Sequence, residues 1–144
     1  MAIGVQVVFD CADPDRLARF WAEALGYKLQ DPPSGYATWE IWAREHGIPE
    51  ERMNDASAVV DPDGKGPRLF FQRVPEPKTV KNRVHLDLNV GGPHGTPLDE
   101  RRPRIEAEVE RLRKAGATRL GAVEQFGGYA VNMADPEGNE FDLQ

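Results

Sequence analysis

A histidine, a carboxylate and an amide occupy alternate positions in Asn82-Arg83-Val84-His85-Leu86-Asp87-Leu88-Asn89-Val90. An imidazole titrates near neutrality, and a carboxylate close to it can orient the ring, so the pair could form a general base or part of a metal site. The alternation predicts a strand with Val84, Leu86, Leu88 and Val90 on one face and His85, Asp87 and Asn89 on the other, about 7 Å apart. A strand that simply faces water would alternate in the same way. The elements around it therefore decide whether this polar face serves a ligand.

Length and composition bound those elements. The chain has 144 residues, 40% hydrophobic and 29% charged, enough for one domain or for two small modules sharing one. No apolar run approaches the roughly 18 residues of a membrane span, and Met1-Ala2-Ile3-Gly4-Val5 lacks the pattern of a secretory signal. Cys11 is the single cysteine, which leaves no internal disulfide and fits a reducing cytoplasm. A formal net charge of −6 argues against a nucleic-acid partner. The basic cluster Arg101-Arg102-Pro103-Arg104, beside Asp99 and Glu100, reads as a solvated edge ahead of a helix.

In chain order, Ile3 to Phe9 predicts a strand with Gln6 as its odd polar residue. Asp13-Pro14 predicts a helix start, Leu17, Phe20, Trp21 and Leu25 its apolar face, and Gly26 its stop. Tyr27–Leu29 and Tyr36–Trp42 read as strands flanking a Pro-Pro-Ser-Gly turn, and the polar segment from Arg44 to Asp55 as a surface loop or short helix. Ala56–Val60 and Arg68–Val74 are strands around the Asp61-Pro62-Asp63-Gly64 turn. Pro75 to Lys81 reads as a linker. After the His85 strand, a helix carries Ile105, Val109 and Leu112 and stops at Gly116. Strands at Thr118–Val123, Gly128–Met133 and Glu140–Gln144 follow, the last entered through Asp135-Pro136-Glu137-Gly138. The order strand, helix, glycine stop, strands and Asp-Pro-acidic-Gly turn thus occurs twice. It divides the chain into two βαβββ modules, about 1–74 and 82–144, within a single domain.

These pieces resemble the vicinal oxygen chelate superfamily of glyoxalase-like and bleomycin-resistance-like proteins. The most specific is Ala134-Asp135-Pro136-Glu137-Gly138-Asn139-Glu140-Phe141. The resemblance implies an α+β fold, two βαβββ modules whose mixed sheet curls into a U-shaped cavity, and a homodimer. It also implies four cavity positions that hold a divalent metal in catalytic members, and these fall on Gln6, Gln72, His85 and Asp142. Two neutral amides give that set one formal negative charge, a poor match to a divalent ion. The expectation is therefore a metal-free small-molecule site with no assigned cofactor. The alternative is a metal-dependent lyase, isomerase or dioxygenase with an atypical ligand set.

The alternation itself also points to a pocket, since Gln6, Gln72, His85 and Asp142 each sit opposite an apolar strand face. Trp39 or Trp42 is the expected aromatic wall. His85, oriented by Asp87 or Asp142, is the candidate general base. His46 and His94 read as solvated. With no fixed positive charge among these residues, the expected ligand is neutral or weakly cationic and partly aromatic or heteroaromatic, with phosphates and dicarboxylates disfavoured.

Overall fold

In a computed structural model describing residues 1–144, the chain divides into two compact units, Met1–Pro77 and Lys78–Gln144. The first is built on α1 (Pro14–Leu25). The Asp13 side chain accepts from the Arg16 N–H at 3.3 Å, Pro14 needs no intrahelical donor, and Gly26 takes the left-handed conformation (φ 68°) that ends the helix. Leu17, Ala18, Phe20, Trp21 and Ala24 are buried on one face. The Phe9 ring lies 5.0 Å from Trp21 and 5.3 Å from Phe71, so this face packs on the sheet beneath it.

That sheet consists of β1 (Val7–Cys11), β2 (Lys28–Leu29), β3 (Ala56–Val60) and β4 (Leu69–Arg73), in the spatial order β1-β4-β3-β2. β1 runs parallel to β4 and the other pairs are antiparallel. β1 begins four residues later than the sequence suggests, because its partner begins at Leu69, opposite Val7. Ile3 and Val5 precede the ladder and are exposed.

The stretch Tyr36–Trp42 is not a strand. Trp39–Glu45 forms helix α2, whose N-cap Thr38 accepts from the Ile41 N–H through its hydroxyl at 3.2 Å. Aromatic content favoured a strand, but the threonine cap and Gly47 beyond the helix end favoured one short helix. A 3-10 helix over Glu50–Asp55 leads into β3.

The second unit repeats the plan. β5 (Leu86–Leu88), α3 (Leu98–Ala115), β6 (Thr118–Gln125), β7 (Gly128–Ala134) and β8 (Glu140–Leu143) form a sheet of order β5-β8-β7-β6. β5 is parallel to β8 and the rest are antiparallel. Ile105, Val109 and Leu112 of α3 are fully buried, as are Val131, Met133, Phe141 and Leu143 of the sheet. The basic cluster lies inside α3 rather than ahead of it, with Pro103 in its first half. Together the two units make an α+β fold of two βαβββ modules.

The turn chemistry repeats as well. Asp61 accepts the backbone N–H groups of Asp63, Lys65 and Gly66, and Asp135 accepts those of Glu137 and Asn139. The bonds from Asp63 and Gly66 hold the Asp61 carboxyl below its ordinary range. No helix is long and apolar enough to cross a membrane.

Candidate functional site

In each sheet one face packs under α1 or α3, and Gln6, Gln72, His85, Asp87 and Asp142 alternate with the residues of that face and so lie on the other. In the second module β5 is short, and His85 stands one residue before it. Asp87 pairs directly with Asp142 across the parallel β5–β8 ladder, and Asn132 pairs with Asp142 across β7–β8. The sheet therefore gathers His85, Asp87, Asp142 and Asn132 into one group. His85 Nδ1 lies 2.9 Å from Asp87 Oδ1 and 3.8 Å from Asp142 Oδ2. Asn132 Nδ2 donates to Asp142 Oδ1 at 2.8 Å and so fixes that carboxylate. A carboxylate offers acceptors, so this geometry suits a hydrogen bond donated by Nδ1 to Asp87, and in a neutral ring of that tautomer Nε2 is the nitrogen with the lone pair. The His85 side chain is 41% exposed and Asp142 19%, so the ring is open to a ligand while the carboxylate beneath it is held.

Potential metal-ligating atoms of His85, Asp87 and Asp142 all lie within 4.8 Å of one another. One imidazole and two carboxylates supply two negative charges, which makes this trio a better donor set for a divalent cation than the quartet with Gln6 and Gln72.

The first module is different. Gln72 pairs with Asp10 and donates to its Oδ1 at 2.8 Å, whereas Gln6 lies before Val7 and accepts from Arg68 Nη1 at 2.7 Å. Gln6 and Gln72 thus sit about 13 Å apart, four residues along the ladder. Aligning the two parallel ladders explains the separation. Val7↔Leu69 corresponds to Leu86↔Phe141, so Gln6 matches His85, Val8 matches Asp87, and Phe70, not Gln72, matches Asp142. Gln72 matches Gln144, and Gln144 Nε2 donates to Asn89 Oδ1 at 3.1 Å, just as Gln72 donates to Asp10. The Gln72 contact is a repeated cross-strand pair that closes each ladder.

Sequence reasoning singled out neither Asn132 nor Arg68, which the structure sets beside the candidate residues Asp142 and Gln6. Arg68 Nε donates to Gln30 Oε1 at 2.7 Å, its Nη1 donates to Gln6, and its guanidinium lies 5.1 Å from the centre of the Phe70 ring. Because Gln6 is bound to a guanidinium, the helix-free face of the first module carries a positive charge beside Gln6 that the expected set Gln6, Gln72, His85 and Asp142 does not include. The signal was available in the repeat, which sets Arg68-Leu69-Phe70 against Glu140-Phe141-Asp142.

Trp39 and Trp42 lie on α2 instead of a strand, in edge-to-face contact at 5.4 Å, and Trp39 Nε1 donates to the Gln30 carbonyl at 2.8 Å. His46 is not merely solvated. It stacks on Trp42 at 4.4 Å and its Nδ1 lies 2.7 Å from the Trp42 carbonyl. Cys11 is buried, with its thiol 3.5 Å from the Gln72 carbonyl.

A family model described as "Glyoxalase-like domain" matches residues 6–144. No curated protein matches the sequence. Among solved structures, a glyoxalase/bleomycin resistance protein/dioxygenase family enzyme from Burkholderia phytofirmans PsJN is similar, with a TM-score of 0.62 and 14% identity. The match covers 96% of this chain and 94% of that one. A glyoxylase/bleomycin resistance protein/dioxygenase domain from Frankia sp. EAN1pec gives 0.59 at 18% identity, over 99% of this chain and 96% of that one. The fosfomycin resistance protein FosX from Listeria monocytogenes, complexed with Mn(II) and 1S,2S-dihydroxypropylphosphonic acid, gives 0.63 at 10% identity, over 100% and 90%. At these identities the likeness is one of fold.

Proposed function

This chain belongs to the glyoxalase-like domain family, and from that membership we propose that it binds a small molecule on the helix-free face of its second module, with His85 as the group that accepts the ligand's proton. The observation that carries the reading is the contact from His85 Nδ1 to Asp87 at 2.9 Å. A hydrogen bond there orients the ring and favours the Nδ1–H tautomer, which supports Nε2 as the proton acceptor. Asp142, held by Asn132, lies close enough to stabilise the imidazolium formed when Nε2 takes a proton. With two carboxylates beside the ring, the face suits a neutral or weakly cationic hydroxyl, amine or carbon acid. Within the first module, the half-buried indoles of Trp39 and Trp42 on α2 suit stacking with an aromatic or heteroaromatic molecule as a separate part of the proposal, and tryptophan fluorescence against a metabolite panel tests it independently of His85.

The test of the His85 reading begins without a ligand. In 15N NMR of the imidazoles, His85 is expected in the Nδ1–H tautomer, and Asp87→Asn is expected to shift it toward Nε2–H. Ligands from the panel should then bind at least tenfold more weakly to His85→Ala. A ring that is Nε2–H in the native chain, or panel ligands indifferent to His85→Ala, would overturn the reading.

A second reading rests on the trio of ligand atoms within 4.8 Å. His85, Asp87 and Asp142 would hold a divalent cation, which would supply Lewis-acid polarisation of a ligand oxygen. Elemental analysis after dialysis, and calorimetric titration with Mn(II) and Zn(II), decide between the two. One ion per chain that is lost in Asp142→Asn favours the metal, and substoichiometric metal unaffected by that change favours the free imidazole. We include in the same proposal a single domain made of both modules and self-association as a homodimer, as the family resemblance implies. Sedimentation equilibrium tests the latter.

A further inference from the structure

Arg68 differs from most arginines of this acidic chain in the company it keeps. Arg19, Arg52, Arg73, Arg102, Arg104, Arg111, Arg113 and Arg119 each have a carboxylate within ion-pair distance. The polar partners of Arg68 are two neutral amide oxygens, Gln30 Oε1 and Gln6 Oε1, both at 2.7 Å. They orient the guanidinium without cancelling its charge. The Phe70 ring, 5.1 Å away, supports it as well.

The holders are themselves held. The Gln30 N–H donates to the Ala58 carbonyl at 2.9 Å, and the Gln30 carbonyl accepts the Trp39 indole N–H at 2.8 Å. Two of the five guanidinium N–H groups are used, which leaves one on Nη1 and two on Nη2. These are the donors that grip a planar oxyanion in bidentate fashion. Arg68 also occupies the ladder position that Glu140 holds in the second module, where the carboxylate is bound by Lys81 at 2.9 Å. The repeat has exchanged a neutralised acid for an un-neutralised base.

We propose that Arg68, held by Gln6 and Gln30, is the recognition group of an oxyanion-binding site on the helix-free face of the first module, taking the carboxylate, phosphonate or phosphate group of a small molecule. The site stands on first-module residues alone and does not depend on the role given to His85.

The test titrates the full chain at low salt with benzoate, phenylphosphonate and uncharged benzamide, following the arginine Nε–Hε resonances by 1H–15N NMR. The Arg68 resonance is expected to move saturably with at least one of the two anions and to stay still with benzamide. Whichever anion saturates first tells a carboxylate site from a phosphorus oxyanion site. Arg68→Gln is expected to weaken binding at least tenfold. Gln30→Glu keeps an acceptor at Nε but adds a neutralising carboxylate, so it too should weaken binding at least tenfold while the Arg68 Nε–H signal persists. If Arg68→Gln does not fold, Gln30→Glu decides alone. The absence of a saturable shift with both anions, equal non-saturating shifts across many arginines, or unchanged affinity in a folded variant overturns the proposal.

Discussion

The helix-free faces of the two modules carry opposite chemistry on the same scaffold. One presents Gln6, Val8, Arg68 and Phe70, and the other His85, Asp87, Glu140 and Asp142 at the matching ladder positions. What stays common is the helix side and the turns: a glycine-stopped helix, buried residues beneath it, an Asp-Pro turn whose carboxylate collects backbone N–H groups, and a glutamine pair at the ladder end. Residues that build the module therefore persist on one side, while the other side is free to acquire different charges. The repeat preserves a backbone and not a site.

The strongest way to break the comparison is to attack the helix sides. Phe20→Ala is expected to cost about 3–5 kcal/mol and Leu112→Ala about 2–5 kcal/mol, since both side chains are buried. Trp21, Trp39 and Trp42 all lie in the first module, so urea unfolding followed by tryptophan fluorescence reads that module, whereas circular dichroism reads both. If the two signals coincide for both variants, the modules unfold as one unit. A fluorescence transition untouched by Leu112→Ala would show that they unfold separately.

A smaller effect should distinguish the helix side of the second module by pH. Glu106 of α3 bonds Arg119 at 2.6 Å and accepts from the Tyr129 hydroxyl, while Arg102 lies over the Tyr129 ring at 4.5 Å. The Arg119 bond, then the Tyr129 bond, hold the Glu106 carboxyl below its ordinary range. The stability it contributes is therefore complete above the ordinary carboxylate range and is lost as pH falls from that range through the lowered value of the folded state. Tyr129 is raised by its bond to Glu106 and by burial, so its contribution is complete below the ordinary phenol range and is lost as pH rises through it. Glu106→Gln is expected to flatten the acid side of a plot of melting temperature against pH. An unchanged acid limb would remove the network from the stability of this face.

On the helix-free faces, stability effects should be smaller still. His85→Ala is expected to shift the melting temperature by no more than a few degrees, in line with about 0.5 kcal/mol for a half-exposed side chain. A large loss would make His85 a structural histidine. Effects of the same small size belong to Gln72→Ala and Gln144→Ala. Each removes one solvent-accessible cross-strand hydrogen bond and should cost about 0.5–1 kcal/mol or less. The two costs should be similar, and ligand affinity should stay intact. A Gln72→Ala variant that loses binding would return Gln72 to the site.

Much of this architecture was legible in the residues because it is encoded locally. Asp13-Pro14 with Gly26 bounds α1, the spacing of Ile105, Val109 and Leu112 marks α3, and the two Asp-Pro-acidic-Gly turns announce the repeat. Helix α2 was misread because three aromatic residues outweighed a single threonine cap. Register was beyond reach, because the β1–β4 pairing joins residues far apart in sequence and no local pattern sets Gln72 against Asp10 in place of Gln6. His85, Asp87 and Asp142 fell on one face by alternation alone. Arg68 reads in the sequence only as the first residue of a strand, although it begins the run that the repeat aligns with Glu140, Phe141 and Asp142.

The parallel pairing of first and last strands also fixes the order of events during synthesis. Residue 7 finds its partner only when residue 69 has been made, and residue 86 waits for residue 141. In each module the first strand translated is the last to be hydrogen-bonded, so β1 and β5 emerge as unpaired edges while their helices can already form. Such non-local closure makes for slow, late consolidation. A nascent chain stalled before β4 or β8 would hold a helix and one antiparallel pair of strands but no completed sheet.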